Sequence, residues 1–394
     1  MIVITNVFGP LNKGDWELFS RLVGLISARY PQERIAAIAR DKDLTEQHFS
    51  SIDVGEQIGK TDLRGLLGRL QIIFFIAIAL LSHWIRPLNS ILPSKQRKSL
   101  ALIANAKLII ACPGGFLEDS SKSYLTHLIP LVLAQLNGKK TILAPMSIGP
   151  IRGVISKFIV KNVLRRCEMI FVRETRSKEF LDQLGVSCLI ADDLAFGLIN
   201  EETLEGESNK EWIACTVIEW TFPTSATPDL ARKNYISAIS DALNTLQAQL
   251  HLPIYFIRQV SSDLPAISEV AQKITGRYVI GDEMQDPSSV VRILKSSRVV
   301  IASRFHSFIF SMAARCPGVA ISYLPKTTGM LEMYDLSSQC LDIYDLSAEK
   351  ILKAIHDIER DFAVYQKKID LIGHRSQKSS LDFTESLARF LSCP

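Results

Sequence analysis

The feature that most constrains this chain is a repeated alternation of short apolar, β-branched runs with stretches of helical spacing. The runs in the first half are Ile2–Thr5, Ile35–Ile38, Lys107–Ala111, Thr141–Ala144, Met169–Val172 and Cys188–Ala191. In the second half they are Trp212–Ile218, Ile254–Val260, Tyr278–Ile280, Val299–Ile301 and Val319–Tyr323. Apolar runs of this length, bounded by turn residues, read as strands buried on both faces. Strands that alternate with helices predict parallel sheets with right-handed crossovers.

One segment breaks the alternation cleanly. Asn200 to Lys210, NEETLEGESNK, is acidic and apolar-poor, which marks a linker. At 394 residues the chain is also long for a single core. The expected organisation is therefore an N-terminal Rossmann-like domain over 1–199, a linker over 200–210 and a C-terminal Rossmann-like domain over 211–370. The chain ends in helical sequence, and 371–394 is expected to pack back as a C-terminal helical tail. Two such α/β domains facing across a cleft are the arrangement of GT-B-type enzymes.

Composition excludes several classes. Hydrophobic content of 47% and charged content of 22% are those of a folded globular protein. The net charge of +4 is small, and no basic tract is interleaved with aromatics, so nucleic acid is not an expected partner. The cysteines at 112, 167, 188, 215, 316, 340 and 393 form no CxxC pair and sit in apolar surroundings. They read as reduced core thiols of a cytoplasmic protein, with no metal site among them. Met1–Asn6 has the character of a first strand and lacks the n- and h-regions of a signal peptide.

Residues 64–98 form an apolar insertion. Leu70–Leu81, LQIIFFIAIALL, is almost uninterrupted, yet only 16 residues separate Arg69 from Arg86, against the ~20 that a spanning helix needs. Two readings stay open. One is a helix buried in the protein. The other is a helix lying in a membrane surface, with Trp84 at the interface and Arg86, Lys95, Arg97 and Lys98 on anionic headgroups. On the second reading the protein is peripheral at the inner face of the cell membrane.

The chemistry concentrates in Arg298–Lys326, RVVIASRFHSFIFSMAARCPGVAISYLPK. Its first strand hands over to a helix through Ser303, Arg304, Phe305 and His306, and its second strand ends at Pro325-Lys326. Ligands of open parallel sheets bind outside the carboxyl ends of strands, so a guanidinium and an imidazole are placed at such an edge. In the N-terminal half, Asn12-Lys13-Gly14-Asp15 precedes a helix with Asp15 as the expected N-cap. Cys112-Pro113-Gly114-Gly115 follows a strand, and its amides can face an anion. Asp119 lies close behind. His127, on the following helix, reads as a surface histidine.

Taken in order, these segments resemble the polysaccharide pyruvyl transferase family over about residues 1–335. Asn12-Lys13-Gly14-Asp15 matches its N-x-G-D loop, and Gly114-Gly115-Phe116-Leu117-Glu118-Asp119 its G-G-x-L-x-D segment. Ser147-Ile148-Gly149-Pro150 is similar to the I-G-P turn, and Val172-Arg173-Glu174 with Ser177 to V-R-[DE]-x-x-S. Asp193-Leu194-Ala195-Phe196 matches D-[PL]-A-F, Ser303-Arg304-Phe305-His306 the core of S-x-R-x-H, and Tyr323-Leu324-Pro325-Lys326 the Y-x-P-K strand end.

The resemblance implies transfer of a pyruvyl group from phosphoenolpyruvate to a sugar of an exopolysaccharide, capsule or cell-wall glycan, or its lipid-linked precursor. A pyruvate ketal forms and phosphate leaves. Phosphoenolpyruvate is the donor substrate, and no cofactor or metal is expected. Arg304 has the fork suited to the donor's carboxylate or phosphate, and His306 can transfer protons near neutral pH. Asp15 completes the expected catalytic set. Asn12, Gly14, Gly114, Gly115, Asp119, Ser303 and Lys326 are the expected substrate contacts, with Lys326 neutralising the departing phosphate. Two other classes fit the architecture: a nucleotide-sugar glycosyltransferase of GT-B type, and a non-catalytic, membrane-associated scaffold in glycan assembly.

Overall fold

The alternation closes into two parallel sheets. A computed structural model describes residues 1–61, 63, 65–119, 124–200 and 209–391. The first sheet holds β1 (Ile2–Val7), β2 (Ile35–Ala39), β3 (Asp53–Glu56), β4 (Leu108–Ala111), β5 (Lys140–Met146), β6 (Met169–Val172) and β7 (Leu189–Ile190). Their spatial order is β3-β2-β1-β4-β5-β6-β7. The second sheet holds β8 (Trp212–Thr216), β9 (Ile254–Phe256), β10 (Tyr278–Ile280), β11 (Ser297–Ala302), β12 (Gly318–Ser322) and β13 (Cys340–Asp342), in the order β10-β9-β8-β11-β12-β13. Every pairing in both sheets is parallel. Central strands are apolar on both sides because helices cover both faces: all of Ile2–Val7 and Leu108–Ala111 is buried.

Two strands of the sheets, β3 and β13, have too little apolar character to be legible from the sequence. In β3 the pairing is secured from outside the strand. Ser99 Oγ donates to the Glu56 carbonyl at 2.6 Å, and Gly55 leaves room for it, since a Cβ there would lie 2.3 Å from that oxygen.

The chain divides into two compact units: Met1–Pro10, Leu18–Leu194 and Lys378–Pro394 form the first, Leu11–Glu17 and Ala195–Gln377 the second. Two segments thus pack away from their neighbours in sequence. Leu11–Glu17, counted above with the N-terminal domain, packs with the second unit. The end of the 25-residue helix Phe362–Ser386 packs with the first. There Phe383 is edge-on to Phe171 with centroids 5.0 Å apart, and Tyr30 Oη donates to the Thr384 carbonyl at 2.8 Å. Of the expected linker, residues 201–208 lie outside the described residues.

The apolar insertion is the helix Gly65–Leu81, followed by a 3-10 turn over Arg86–Ile91 and the helix Ser94–Asn105. It settles mainly as neither a core helix nor a spanning one. Gly68, Ile78 and Ala79 are buried while Leu66, Leu67, Ile73 and Phe74 are at least half exposed. Among the described residues no helix is long and apolar enough to cross a membrane.

The first unit carries a buried ionic knot. Arg173 Nη1 donates to Asp193 Oδ2 at 2.5 Å and its Nε to Ser147 Oγ at 2.9 Å, with both charged side chains almost fully enclosed. Glu174 caps the helix Thr175–Leu184 by accepting from the Ser177 amide at 3.0 Å, and Ser177 Oγ is in turn 2.7 Å from the Ile148 amide that donates to it. Removing one member of a buried pair strands the other charge, which costs on the order of 3–5 kcal/mol. Asp193→Ala should therefore lower the unfolding free energy, measured by denaturant titration, by that much. A loss within the range of ordinary surface substitutions would show that the arginine re-pairs elsewhere.

Candidate functional site

In the second sheet, sequence order reverses between β8 and β11, and the crevice outside the carboxyl ends at such a point is where open sheets bind ligands. β11 ends at Ala302, and the helix Phe305–Ala313 follows with Arg304 as its N-cap in an extended backbone conformation. Ser303, Arg304 and His306 therefore fall at that point.

Ser303 ties the two strands together. Its amide donates to Thr216 Oγ1 at 3.0 Å, and its hydroxyl accepts from Tyr235 Oη at 2.9 Å. Arg304 is held from the side: Nε donates to Asp263 Oδ2 at 2.9 Å and Nη2 to Asp263 Oδ1 at 2.5 Å. The Asp263 carboxylate is buried and also accepts from the Glu219 amide at 3.2 Å. Across its face the guanidinium lies 5.9 Å from the Tyr323 ring centroid. The Arg304 fork is thus committed to a carboxylate of the protein, and what points elsewhere is its remaining edge.

His306 meets the Asn12–Asp15 turn. A Cβ on Gly14 would sit 2.2 Å from His306 Nδ1 and 2.5 Å from Cγ, so only glycine lets the backbone approach the imidazole. The turn is fixed by Asn12, whose Oδ1 accepts from the amides of Gly14 at 3.1 Å and Asp15 at 3.3 Å, and whose Nδ2 donates to Asp15 Oδ2 at 2.6 Å. The helix accordingly starts at Lys13, inside the turn and not after it, and Asn12 rather than Asp15 does the capping. Asn12 also forms an isolated bridge with Val260, and the Lys13 amide donates to the Gln259 carbonyl at 3.2 Å.

Lys13 itself was not singled out by the sequence. Its side chain is fully buried, and Nζ donates to the Glu283 carbonyl at 2.7 Å. Burial lowers its ammonium to about 8, with Arg258 adding to the shift and Glu283 opposing it. Arg258 pairs with the Glu283 carboxylate at 3.3 Å. Beside it, Gln259 is buried with neither polar atom of its side chain hydrogen-bonded among the described residues. Lys13 escaped notice because it fills the variable position of N-x-G-D. Arg258 sits just past the strand Ile254–Phe256, as Arg304 sits just past β11, but the apolar run read from the sequence extends to Val260 and hides it inside the strand.

The remaining expected residues lie in the first unit. The Gly114 carbonyl accepts from the Ser147 amide at 2.9 Å. Asp119 Oδ2 accepts from the amides of Arg152 at 2.6 Å and Gly153 at 3.0 Å, which fixes the start of the helix Val154–Leu164. Gly115 is half-buried beside them, and the residues immediately after Asp119, 120–123, lie outside the described residues. Lys326 falls in the first turn of Pro325–Met333, with its side chain outside the described residues. His127 corrects the reading as a surface residue. It is buried between Phe116 and Phe8, with ring centroids 4.7 and 5.2 Å away, and burial, aided by Arg40, pushes its pKa down to about 4.

Comparison with known proteins gives a family and a fold. A family model described as polysaccharide pyruvyl transferase matches residues 31–325. The amylovoran biosynthesis protein AmsJ of Erwinia amylovora is 22% identical over 246 residues, a match spanning 57% of this chain and 59% of that protein. Among solved structures, Anabaena Alr3699/HepE in complex with UDP and glucose is similar with a TM-score of 0.56 at 13% identity, covering 100% of this chain and 99% of that one. A UDP-N-acetylglucosamine 2-epimerase assigned in Listeria monocytogenes is similar with a TM-score of 0.64 at 10% identity, covering 100% and 97%. At these identities the structures establish the fold alone, and it is the two-unit GT-B-type α/β class expected from the strand pattern.

Two outcomes follow from the geometry. Gly14→Ala drives a methyl into the His306 ring, an overpacking that costs about 1–3 kcal/mol. It should depress turnover far more than His306-independent properties such as secondary structure, as circular dichroism on the same sample would check. Lys13 gives a pH signature. Its folded pKa lies below its unfolded value of 10.5, so between about pH 8 and 10.5 the unfolded chain holds the extra proton and stability from this group rises with pH. Urea midpoints of wild type and Lys13→Met should diverge in favour of wild type across that window, whereas parallel curves would show an exposed ammonium.

Proposed function

Because the chain belongs to the polysaccharide pyruvyl transferase family, we propose that it transfers a pyruvyl group from phosphoenolpyruvate to a glycan sugar as a ketal. The glycan is an exopolysaccharide, capsule or cell-wall polymer, or a lipid-linked precursor of one. The observation that carries the reading is His306, seated at the switch point of the second sheet against the Gly14 backbone, with the Arg304 guanidinium just past β11 and that of Arg258 just past β9, on either side of β8.

The reaction balances without an outside reagent. A sugar hydroxyl oxygen attacks C2 of the enolpyruvyl group while the C3 methylene accepts a proton and becomes a methyl. A second hydroxyl then displaces phosphate from C2 by cleavage of the C–O bond. One hydroxyl proton is balanced by the new methyl group, and the other leaves with the phosphate. His306 is the proton-transfer group, since imidazole both gives and takes a proton near neutral pH. Asp15, held by Asn12 in the same turn, orients the acceptor hydroxyl or takes its proton. Arg304 contributes positive charge opposite the donor anion, its orientation fixed by Asp263. Lys326 neutralises the departing phosphate. Amides of Gly114 and Gly115, with Asp119, are assigned to the acceptor side. No cofactor enters this scheme. An acceptor carried on lipid accords with a peripheral position at the inner face of the cell membrane, through residues 64–98.

The test is phosphate release from phosphoenolpyruvate that depends on a saccharide acceptor, with a matching mass gain on the acceptor. His306→Ala should reduce it by more than about tenfold, the usual scale for removing an acid–base group. Arg304→Lys, which keeps a charge beside Asp263 but loses the fork, should raise the phosphoenolpyruvate KM. Unaltered turnover in both would remove these residues from the chemistry. Saturable binding of a sugar nucleotide with none of phosphoenolpyruvate would favour a glycosyltransferase instead.

A further inference from the structure

The first unit exposes apolar side chains on two helices that the fold leaves uncovered. In Gly65–Leu81, Leu67 is 68% and Ile73 64% exposed, with Leu66 beside them. In Val154–Leu164, Val154 is 82%, Ile155 76% and Phe158 68% exposed. Single exposed leucines are ordinary, but clusters of this kind on a soluble surface mark an interaction face. Val154–Leu164 carried no such expectation from the sequence, because alternation of apolar and basic residues there reads as a plain crossover helix.

The two helices belong to one side of one sheet. The connections from β3 to β4, β4 to β5 and β5 to β6 all step in the same direction along the strand order, so right-handed crossovers place their helices on a common face. Both helices pack against Tyr124–Leu136. Both also lie toward the carboxyl edge. Gly59, just beyond β3, packs on Ile72 and Ile76 of the first helix, where a Cβ would be 3.2 Å from Ile76. The second helix begins shortly after β5 ends, at the turn fixed by Asp119.

Charge identifies what covers this face. Residues 65–98 contain Arg69, Arg86, Lys95, Arg97 and Lys98, and residues 151–167 contain Arg152, Lys157, Lys161, Arg165 and Arg166; neither segment contains an aspartate or glutamate. Lys95 and Lys98 are neutralised by Asp43 and Asp53 from elsewhere in the unit, which leaves Arg69, Arg86 and Arg97 as the basic groups of the first segment and Lys157 and Lys161 as those of the helix Val154–Leu164. Exposed apolar side chains on segments whose charged residues are all basic, with an exposed Trp84 after the first helix, match the interface of an anionic bilayer. A second copy of the chain would bring two basic segments together.

We propose that Gly65–Leu81 and Val154–Leu164 form a two-point docking face that seats the first unit on an anionic membrane surface, with the carboxyl edge of its sheet at the bilayer. This deepens the glycan-assembly reading by naming the lipid surface as the partner and adding the second helix to the contact. Two insertion points hold an orientation that one helix cannot, since a single amphipathic anchor leaves the body free to swing.

The test uses the full chain and sedimentation with phosphatidylcholine vesicles, with and without phosphatidylglycerol. Wild type is expected to co-sediment with the anionic vesicles. The pairs Leu67→Glu/Ile73→Glu and Ile155→Glu/Phe158→Glu, both at exposed positions, should each lower partitioning by about tenfold or more with unchanged circular dichroism. Failure of wild type to bind, or unchanged binding by the Ile155/Phe158 pair, overturns the proposal, as does a wild-type dimer that these glutamates dissociate. Phosphate release with a water-soluble acceptor is measured on the same proteins. Its absence in wild type counts against the pyruvyl reading alone, while the vesicle result still decides this one.

Discussion

The second unit depends on a backbone that comes from the far end of the sequence. The Asn12–Asp15 turn is gripped by the Gln259 carbonyl, bridged by Val260, and pinned by the Lys13 ammonium on the Glu283 carbonyl. Only then does Gly14 lie against His306. Burying an ammonium is costly, and its lowered pKa records that cost. A fold retains such a group when the surrounding contacts over-determine it. Here they also set the position of the imidazole's neighbour, so His306 and the turn are one unit of structure.

The fold was legible from the strands that are buried on both faces, because burial leaves no choice but continuous apolar sequence. β4 and β11 are of this kind. β3 and β13 were invisible for the opposite reason: they pair at sheet edges, where polar residues are tolerated and the register comes from contacts such as Ser99 on Glu56. The helix boundary at Lys13 was misread because asparagine and aspartate are both good caps, and the choice between them rests on geometry.

In the candidate site, the placement of His306 at a strand-to-helix junction was legible, because an apolar run followed directly by helical spacing marks such a junction. The site was not legible where partners decide. Arg304 looked like an open clamp, yet Asp263, from a short SSD turn with no signal of its own, occupies most of its fork. Ser303, expected as a substrate contact, also joins β11 to β8, which its type and place do not announce. His127 looked like a surface residue, and two phenylalanines hold it in the core. In each case the sequence names the group, while the contact that commits it lies tens to hundreds of residues away.

The two units depart from the folding optimum in two ways. Both enclose charge: Lys13 and Asp263 in the second, and Arg173 and Asp193 in the first, are removed from water and held by specific partners. The first exposes apolar surface on two helices that its own sheet could have covered. Folding alone rewards neither, since each lowers stability relative to a chain with charges outside and leucines inside. Both departures accord with the roles proposed above, a small anionic donor bound in the second unit and a lipid surface met by the first. On that proposal the apolar helices need no partner from within the chain, because their exposed side chains face a bilayer instead of water.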